Sequence, residues 1–166
     1  MRVLWAPWLL AYIEQADSGS GCFFCDNPRL EDRGARRAAL VLRSGEQASV
    51  VMNRFPYANA HLMVAPHDHT ADFAALDAAV VAAVQSELQA CVQVLTEAFS
   101  PQGFNVGMNL GRVAGAGVAD HLHWHVVPRW EGDTNFMPVL GETKVMPEHI
   151  EATYDRLLPL FEERIA

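Results

Sequence analysis

The apolar positions of this chain repeat with two different periods. Between Asp72 and Phe99, Phe73, Leu76, Val80, Val84, Leu88, Val92, Leu95 and Phe99 recur at three- and four-residue steps in a stretch free of glycine and proline. That spacing lays them along one face of a helix, and Asp77 is placed to cap the longer part if the helix breaks there. A second helix is predicted from Pro147 to Ile165, where Pro147 suits a first turn and Ile150, Tyr154, Leu157, Leu158 and Phe161 share a face.

Elsewhere the runs are short and the period falls to two. Ser49 to Met52 and His61 to Ala65 read as antiparallel strands joined by the loop Asn53 to Ala60, with Pro56 in its middle. Pro101 and Gly103 stop the long helix, Phe104 to Leu110 alternates as a third strand, and a glycine-bearing loop, Gly111 to Gly117, leads to a fourth at His121 to Val127. Asp17 to Gly21 is a turn-rich break and Asp32 to Arg37 a charged loop, neither long enough for an interdomain linker. Strands, long helix, strands and helix without regular alternation predict an α+β fold with an antiparallel sheet.

Composition narrows the choices. At 166 residues and 51% hydrophobic content the chain can bury one substantial core, so a single domain is expected over residues 1–166, with an apolar arm at about 1–20. A formal charge of -8 argues against a general nucleic-acid binder, since phosphate-backbone affinity comes from clustered Lys and Arg. A small phosphorylated ligand stays open. The stretch Met1 to Ile13 is too short to cross a bilayer and is interrupted by Pro7, so Trp5, Trp8 and Tyr12 are expected to pack on the core or on a second subunit. Three cysteines point to a reducing compartment, hence the cytoplasm, rather than to a disulfide framework, and Cys91 beside the helix stripe reads as a core residue.

The chemistry concentrates in His121-Leu122-His123-Trp124-His125-Val126-Val127. In an extended strand these three imidazoles project from one side while Leu122, Trp124 and Val126 point into the core. A metal site using all three rings and a purely structural cluster are alternatives. A nucleophile is the better reading: a neutral imidazole can attack through one nitrogen while an acceptor holds the other, and flanking rings can donate to phosphate oxygens. His123, in the middle, is the natural attacking group.

This motif, followed by Pro128-Arg129, resembles the signature of the histidine triad superfamily. The resemblance implies a nucleotidyl intermediate on His123, with His121 orienting it through its backbone carbonyl and His125 contacting phosphate. It extends to Val51 through Pro66, where it implies that Asn53 binds the ribose and His61 lies near the phosphates; taken alone, Asn53 reads as a turn former. Ala60 stands where the family usually has glycine. Asn109 through Gly117, with Gly115 among its glycines, resembles the family's loop before the triad, whose glycines let backbone approach a phosphate. Gly117 stands where many relatives carry Gln or Ser, in a loop one residue longer, so main-chain amides are expected to hold the α-phosphate. Cys22-Phe-Phe-Cys25 has the spacing of half a zinc site; a redox-active pair, though without a thioredoxin-like pattern around it, and two core cysteines without metal are the alternatives. The resemblance supplies the other half as His69 and His121, with His67 a nearby rival, and so implies a structural zinc.

Leu4 through Ile13 and Val127 through Met137 are similar to the bacterial branch of diadenosine tetraphosphate phosphorylases. That implies cleavage of the dinucleotide by inorganic phosphate to ATP and ADP, and a second anion site for which Arg129, Asn135 and Lys144 are candidates. A hydrolase of dinucleoside polyphosphates or nucleoside phosphoramidates and a non-catalytic nucleotide-binding protein are the alternatives. A homodimer is expected, with no nucleic-acid or membrane partner.

Overall fold

In a computed structural model of the protein, residues 21–133, 141 and 145–164 are described. The expected arm, together with Asn135 and Lys144, lies outside them.

Five strands, β1 (Val41–Ser44), β2 (Ala48–Met52), β3 (Leu62–Pro66), β4 (Gly103–Met108) and β5 (Trp124–Arg129), form one sheet in the order β1-β2-β3-β5-β4. Every pairing is antiparallel. The helices are α1 (Phe23–Asp26), α2 (Arg33–Ala38), α3 (Ala78–Phe99) and α4 (Ile150–Glu163). The α+β expectation is met, because alternation on the strands leaves an apolar row on each face. Leu42, Ala48, Val50, Met52, Leu62, Val64 and Val126 pack beneath Val84, Leu88, Cys91, Val94 and Leu95 of α3 and Tyr154, Leu157 and Phe161 of α4. Val41, Val51, Met63 and Ala65 point the other way and are covered by Phe24. The α3 helix is long and apolar enough to cross a membrane, but its apolar residues are the ones laid on the sheet.

The structure adjusts several predicted bounds. Asp72 caps a separate 3-10 turn, Phe73–Ala75, and Asp77 caps α3 by accepting from the Ala79 amide, so the break falls where the second aspartate allowed it. The charged stretch Asp32 to Arg37, expected as a loop, is mostly helix α2: the Asp32 side chain accepts from the Ala35 amide and Gly34 sits within the first turn. Strand β1 was not expected; its four residues are too few to show a period, and tertiary pairing with β2 fixes it. The last helix starts at Ile150, past Pro147, and carries Pro159 inside it.

The correction that matters most concerns the histidine strand. β5 begins at Trp124, so only His125 of the three lies in a ladder. The pairing of β4 ends at Met108 opposite Trp124, and the chain then enters the glycine loop. His121 to His123 lose that neighbour and are held instead by the Leu122 amide, which donates to the Thr70 carbonyl at 2.8 Å.

Candidate active site

The three histidines nevertheless form a continuous row. Phe24 stacks against His123 at 4.9 Å between ring centroids and lies 5.3 Å from His121, while His123 meets His125 edge-on at 5.0 Å. His121 and His123 are buried and His125 is half-buried. The register puts Met63 and Gly107 directly beside His125, and a Cβ built on Gly107 would meet no atom of the described residues within 4 Å. The sheet therefore leaves room for a ligand against the ring of His125.

Hydrogen bonds fix which nitrogen of each ring holds a proton. His123 Nδ1–H donates to the His121 carbonyl oxygen at 2.9 Å, which leaves a lone pair on Nε2. At His61, Nδ1 lies 3.0 Å from the Tyr57 amide and 3.3 Å from Asn53 Nδ2, both donors, so the proton belongs on Nε2. His61 Nε2–H then donates to His125 Nδ1 at 3.0 Å, and His125 presents Nε2–H as a donor. Burial holds His123 below the usual imidazole range, with the His121 carbonyl pulling weakly the other way. Burial, reinforced by His123, pushes His125 down to about 4. Both rings are neutral at pH 7, one with a free lone pair and the other with an N–H to offer.

A second cluster shares His121. Its Nδ1 lies 3.3 Å from Cys22 Sγ, 3.5 Å from Cys25 Sγ and 3.3 Å from His69 Nδ1, and Cys25 Sγ is 3.3 Å from His69 Nδ1. The four ligand atoms lie within 4.8 Å of one another. With metal–sulfur distances of about 2.3 Å and metal–nitrogen distances of about 2.0 Å, a tetrahedral site has edges of about 3.3–3.8 Å, so the set fits zinc. His121 Nε2–H donates to the Pro66 carbonyl at 2.9 Å, which fixes Nδ1 as the ligating atom in the manner of a supporting outer contact. His69, not its rival His67, joins the group; His67 Nε2 is instead buried with no hydrogen-bond partner among the described residues. Burial and the neighbouring Cys22 push the Cys25 thiol up, a tendency that a divalent cation reverses.

The remaining predicted residues fall around the row. Asn53 closes the β2–β3 loop: its Oδ1 accepts from the Phe55 amide at 2.9 Å, as a turn former does. His61 is buried and meets the row at His125, its Nε2 3.0 Å from His125 Nδ1. Ala60 has φ of 57°, a left-handed conformation that glycine adopts without the steric cost alanine meets there. Asn109 Nδ2 donates to the Gly115 carbonyl at 3.3 Å, and Gly111 and Gly115 adopt φ of 81° and 93°. The amides of Ala114, Gly115 and Ala116 donate to carbonyls within the loop, so in this conformation Gly115 offers space rather than a donor. Ala116 is buried and Gly117 exposed beside it. Arg129 is paired bidentately with Asp133, at 2.6 and 2.9 Å, and donates to Asn105 Oδ1 at 2.8 Å, which neutralises the charge expected to bind a second anion.

Two contributors were not anticipated. Phe24 lies between the two cysteines in sequence and backs the rings of His121 and His123, and nothing in the sequence set it apart from any other apolar residue. Tyr57 touches both His61 and His125; its only signal was an aromatic after Pro56 in a loop already singled out.

The chain belongs to the histidine triad family, its residues 36–132 matching the HIT domain. It is 36% identical over 161 residues to the AP-4-A phosphorylase of Mycobacterium tuberculosis (strain CDC 1551 / Oshkosh), an alignment covering 92% of this chain and 80% of that protein. Among solved structures, a hypothetical histidine triad nucleotide-binding protein from Sulfolobus tokodaii superposes with a TM-score of 0.63 at 25% identity, over 87% of this chain and 91% of that one. A zinc-bound histidine triad family protein from Mycobacterium smegmatis shares the fold with a TM-score of 0.61 at 22% identity, over 76% of this chain and 86% of that one.

Proposed function

We propose that the protein cleaves dinucleoside polyphosphates by nucleotidyl transfer through His123, with diadenosine tetraphosphate as substrate and inorganic phosphate as acceptor. The observation that carries this is the His123 ring: its Nδ1–H is held by the His121 carbonyl, so a neutral Nε2 lone pair is available beside an N–H donor on His125. Attack forms a bond from Nε2 to the α-phosphorus while the bond to the departing nucleotide oxygen breaks and its electron pair leaves with ATP. The neutral His125 N–H stabilises charge growing on the departing side. In the second step a phosphate oxygen attacks the phosphorus, the P–N bond breaks, and ADP leaves with His123 restored.

The resemblance to AP-4-A phosphorylase over 92% of the chain supports this choice of substrate and acceptor. Hydrolysis, with water in place of phosphate and AMP in place of ADP, is the second reading. The pairing of Arg129 with Asp133 favours it, because the acceptor anion then has to be held by other groups. A zinc ion held by Cys22, Cys25, His69 and His121 would serve structure, joining α1 to the residues beneath the nucleophile.

Incubation with diadenosine tetraphosphate, with and without phosphate, decides between these readings. ADP plus ATP that rises with phosphate supports phosphorolysis; AMP plus ATP regardless of phosphate makes the protein a hydrolase. His123→Ala should abolish both turnover and the AMP adduct seen by mass spectrometry, a loss on the order of 10³-fold or more. Full turnover in that variant excludes both readings.

A further inference from the structure

Tyr57 is 51% exposed, yet its ring lies 4.6 Å from that of His61 and 5.6 Å from that of His125. One side of the ring therefore covers two imidazoles and the other faces solvent. The loop that presents it is tightly folded. The Asn53 amide donates to the His61 carbonyl at 2.9 Å, Asn53 Oδ1 holds the Phe55 amide, and the left-handed Ala60 turns the chain into β3. The same fold brings the Tyr57 amide to 3.0 Å from His61 Nδ1.

That amide cannot accept, so the atom it faces must carry a lone pair. A neutral imidazole has one N–H, which then sits on His61 Nε2 and meets His125 Nδ1 at 3.0 Å. His125 is in turn obliged to keep its proton on Nε2. With the other tautomer it would turn a lone pair toward a phosphate and repel it. At neutral pH no extra proton corrects the error, since burial keeps His125 uncharged.

We propose that Tyr57 is a positioning residue: its amide sets the tautomers of His61 and His125, and its ring keeps water from the pair, so that His125 always offers an N–H to the departing group. The proposal rests on the nucleotidyl-transfer reading for its effect on rate, but not for its effect on the tautomers. The phenol hydroxyl has no part in it.

Two measurements test it. Nitrogen-15 spectra of the imidazoles should show one tautomer, protonated at Nε2, for His61 and His125 in the wild type and in Tyr57→Phe. In Tyr57→Pro, which lacks the amide proton and leaves on His61 Nδ1 the longer contact from Asn53 Nδ2 at 3.3 Å, they should show a mixture. Single-turnover transfer of AMP to His123 should then be followed with adenosine 5′-phosphate aryl esters of increasingly basic phenols. Tyr57→Ala should be slowed on the order of tenfold or more with the most basic phenol and much less with nitrophenol, whereas Tyr57→Phe stays near wild type. A single unchanged tautomer in folded Tyr57→Pro overturns the proposal. So does an equal slowing of every ester in Tyr57→Ala, which keeps the backbone donor and tests the ring alone. For the amide, a wild type that shows no scalar coupling from the Tyr57 N–H to His61 Nδ1 overturns it whether or not the proline variant folds. Failure of the wild type to form any adduct would instead sink the nucleotidyl-transfer reading and leave the tautomer result standing.

Discussion

Neutral imidazoles in a half-dry site have a thermodynamic consequence that can be read without substrate. His125 ionises near 4 in the folded protein because burial, and then His123, disfavour its charged form, against about 6.5 for an unperturbed histidine. Burial shifts His121 and His123 the same way. Above about pH 6.5 neither folded nor unfolded chain is protonated at these rings, and their neutral contacts contribute fully. As pH falls from there toward about 4 the unfolded state takes up protons that the folded state refuses, so stability drops across that window. Urea unfolding should give a lower midpoint at pH 5 than at pH 7.5, and His125→Gln should flatten the difference. A midpoint independent of pH in that range would contradict the placement of His125.

At the scale of elements, α3 separates two sources of stability. Its N-cap is a single aspartate whose side chain accepts from the Ala79 amide at 2.7 Å, whereas Leu95 is wholly buried between the sheet and α4. Asp77→Ala should cost about 1 kcal/mol. Leu95→Ala should cost about 2–5 kcal/mol, because a cavity opens that the strands cannot close. Denaturant titration compares the two directly, and equal costs would mean that α3 is held by its cap rather than by packing. The helix was legible in the sequence because 22 residues give its period many chances to repeat. Strand β1 was not, because four residues give almost none and its register includes an irregularity between Val41 and Arg43.

For the whole molecule, the Cys22, Cys25, His69 and His121 group joins α1, the segment after β3 and the lead into β5. Zinc held there would tie together segments far apart in the chain, so removing it should loosen residues near α1 before the rest. Chelation should lower the thermal midpoint, release one zinc per chain and expose two thiols to a disulfide reagent while buried Cys91 stays silent. A chelator that changes neither the midpoint nor thiol reactivity would rule out a structural metal. A second expectation concerns assembly. Val106 and Leu110, on and just beyond the edge strand β4, are 49% and 48% exposed, apolar area that a second copy could cover. Light scattering should report twice the chain mass, with Val106→Lys shifting it to the monomer value.

By itself the chain of residues determined the type and order of most elements and the chemistry of the row, since a period of two or of 3.6 and three alternating imidazoles are local facts. It also held the cysteine spacing and the Asx turn at Asn53. Only the tertiary structure decided that His69 rather than His67 completes the cluster, that Arg129 is neutralised by Asp133, and that His121 and His123 stand outside the ladder. Each of these depends on which distant backbone arrives opposite a side chain. The roles of Phe24 and Tyr57 belong to the same class, because a ring's contacts across the fold leave no trace in the spacing of its neighbours.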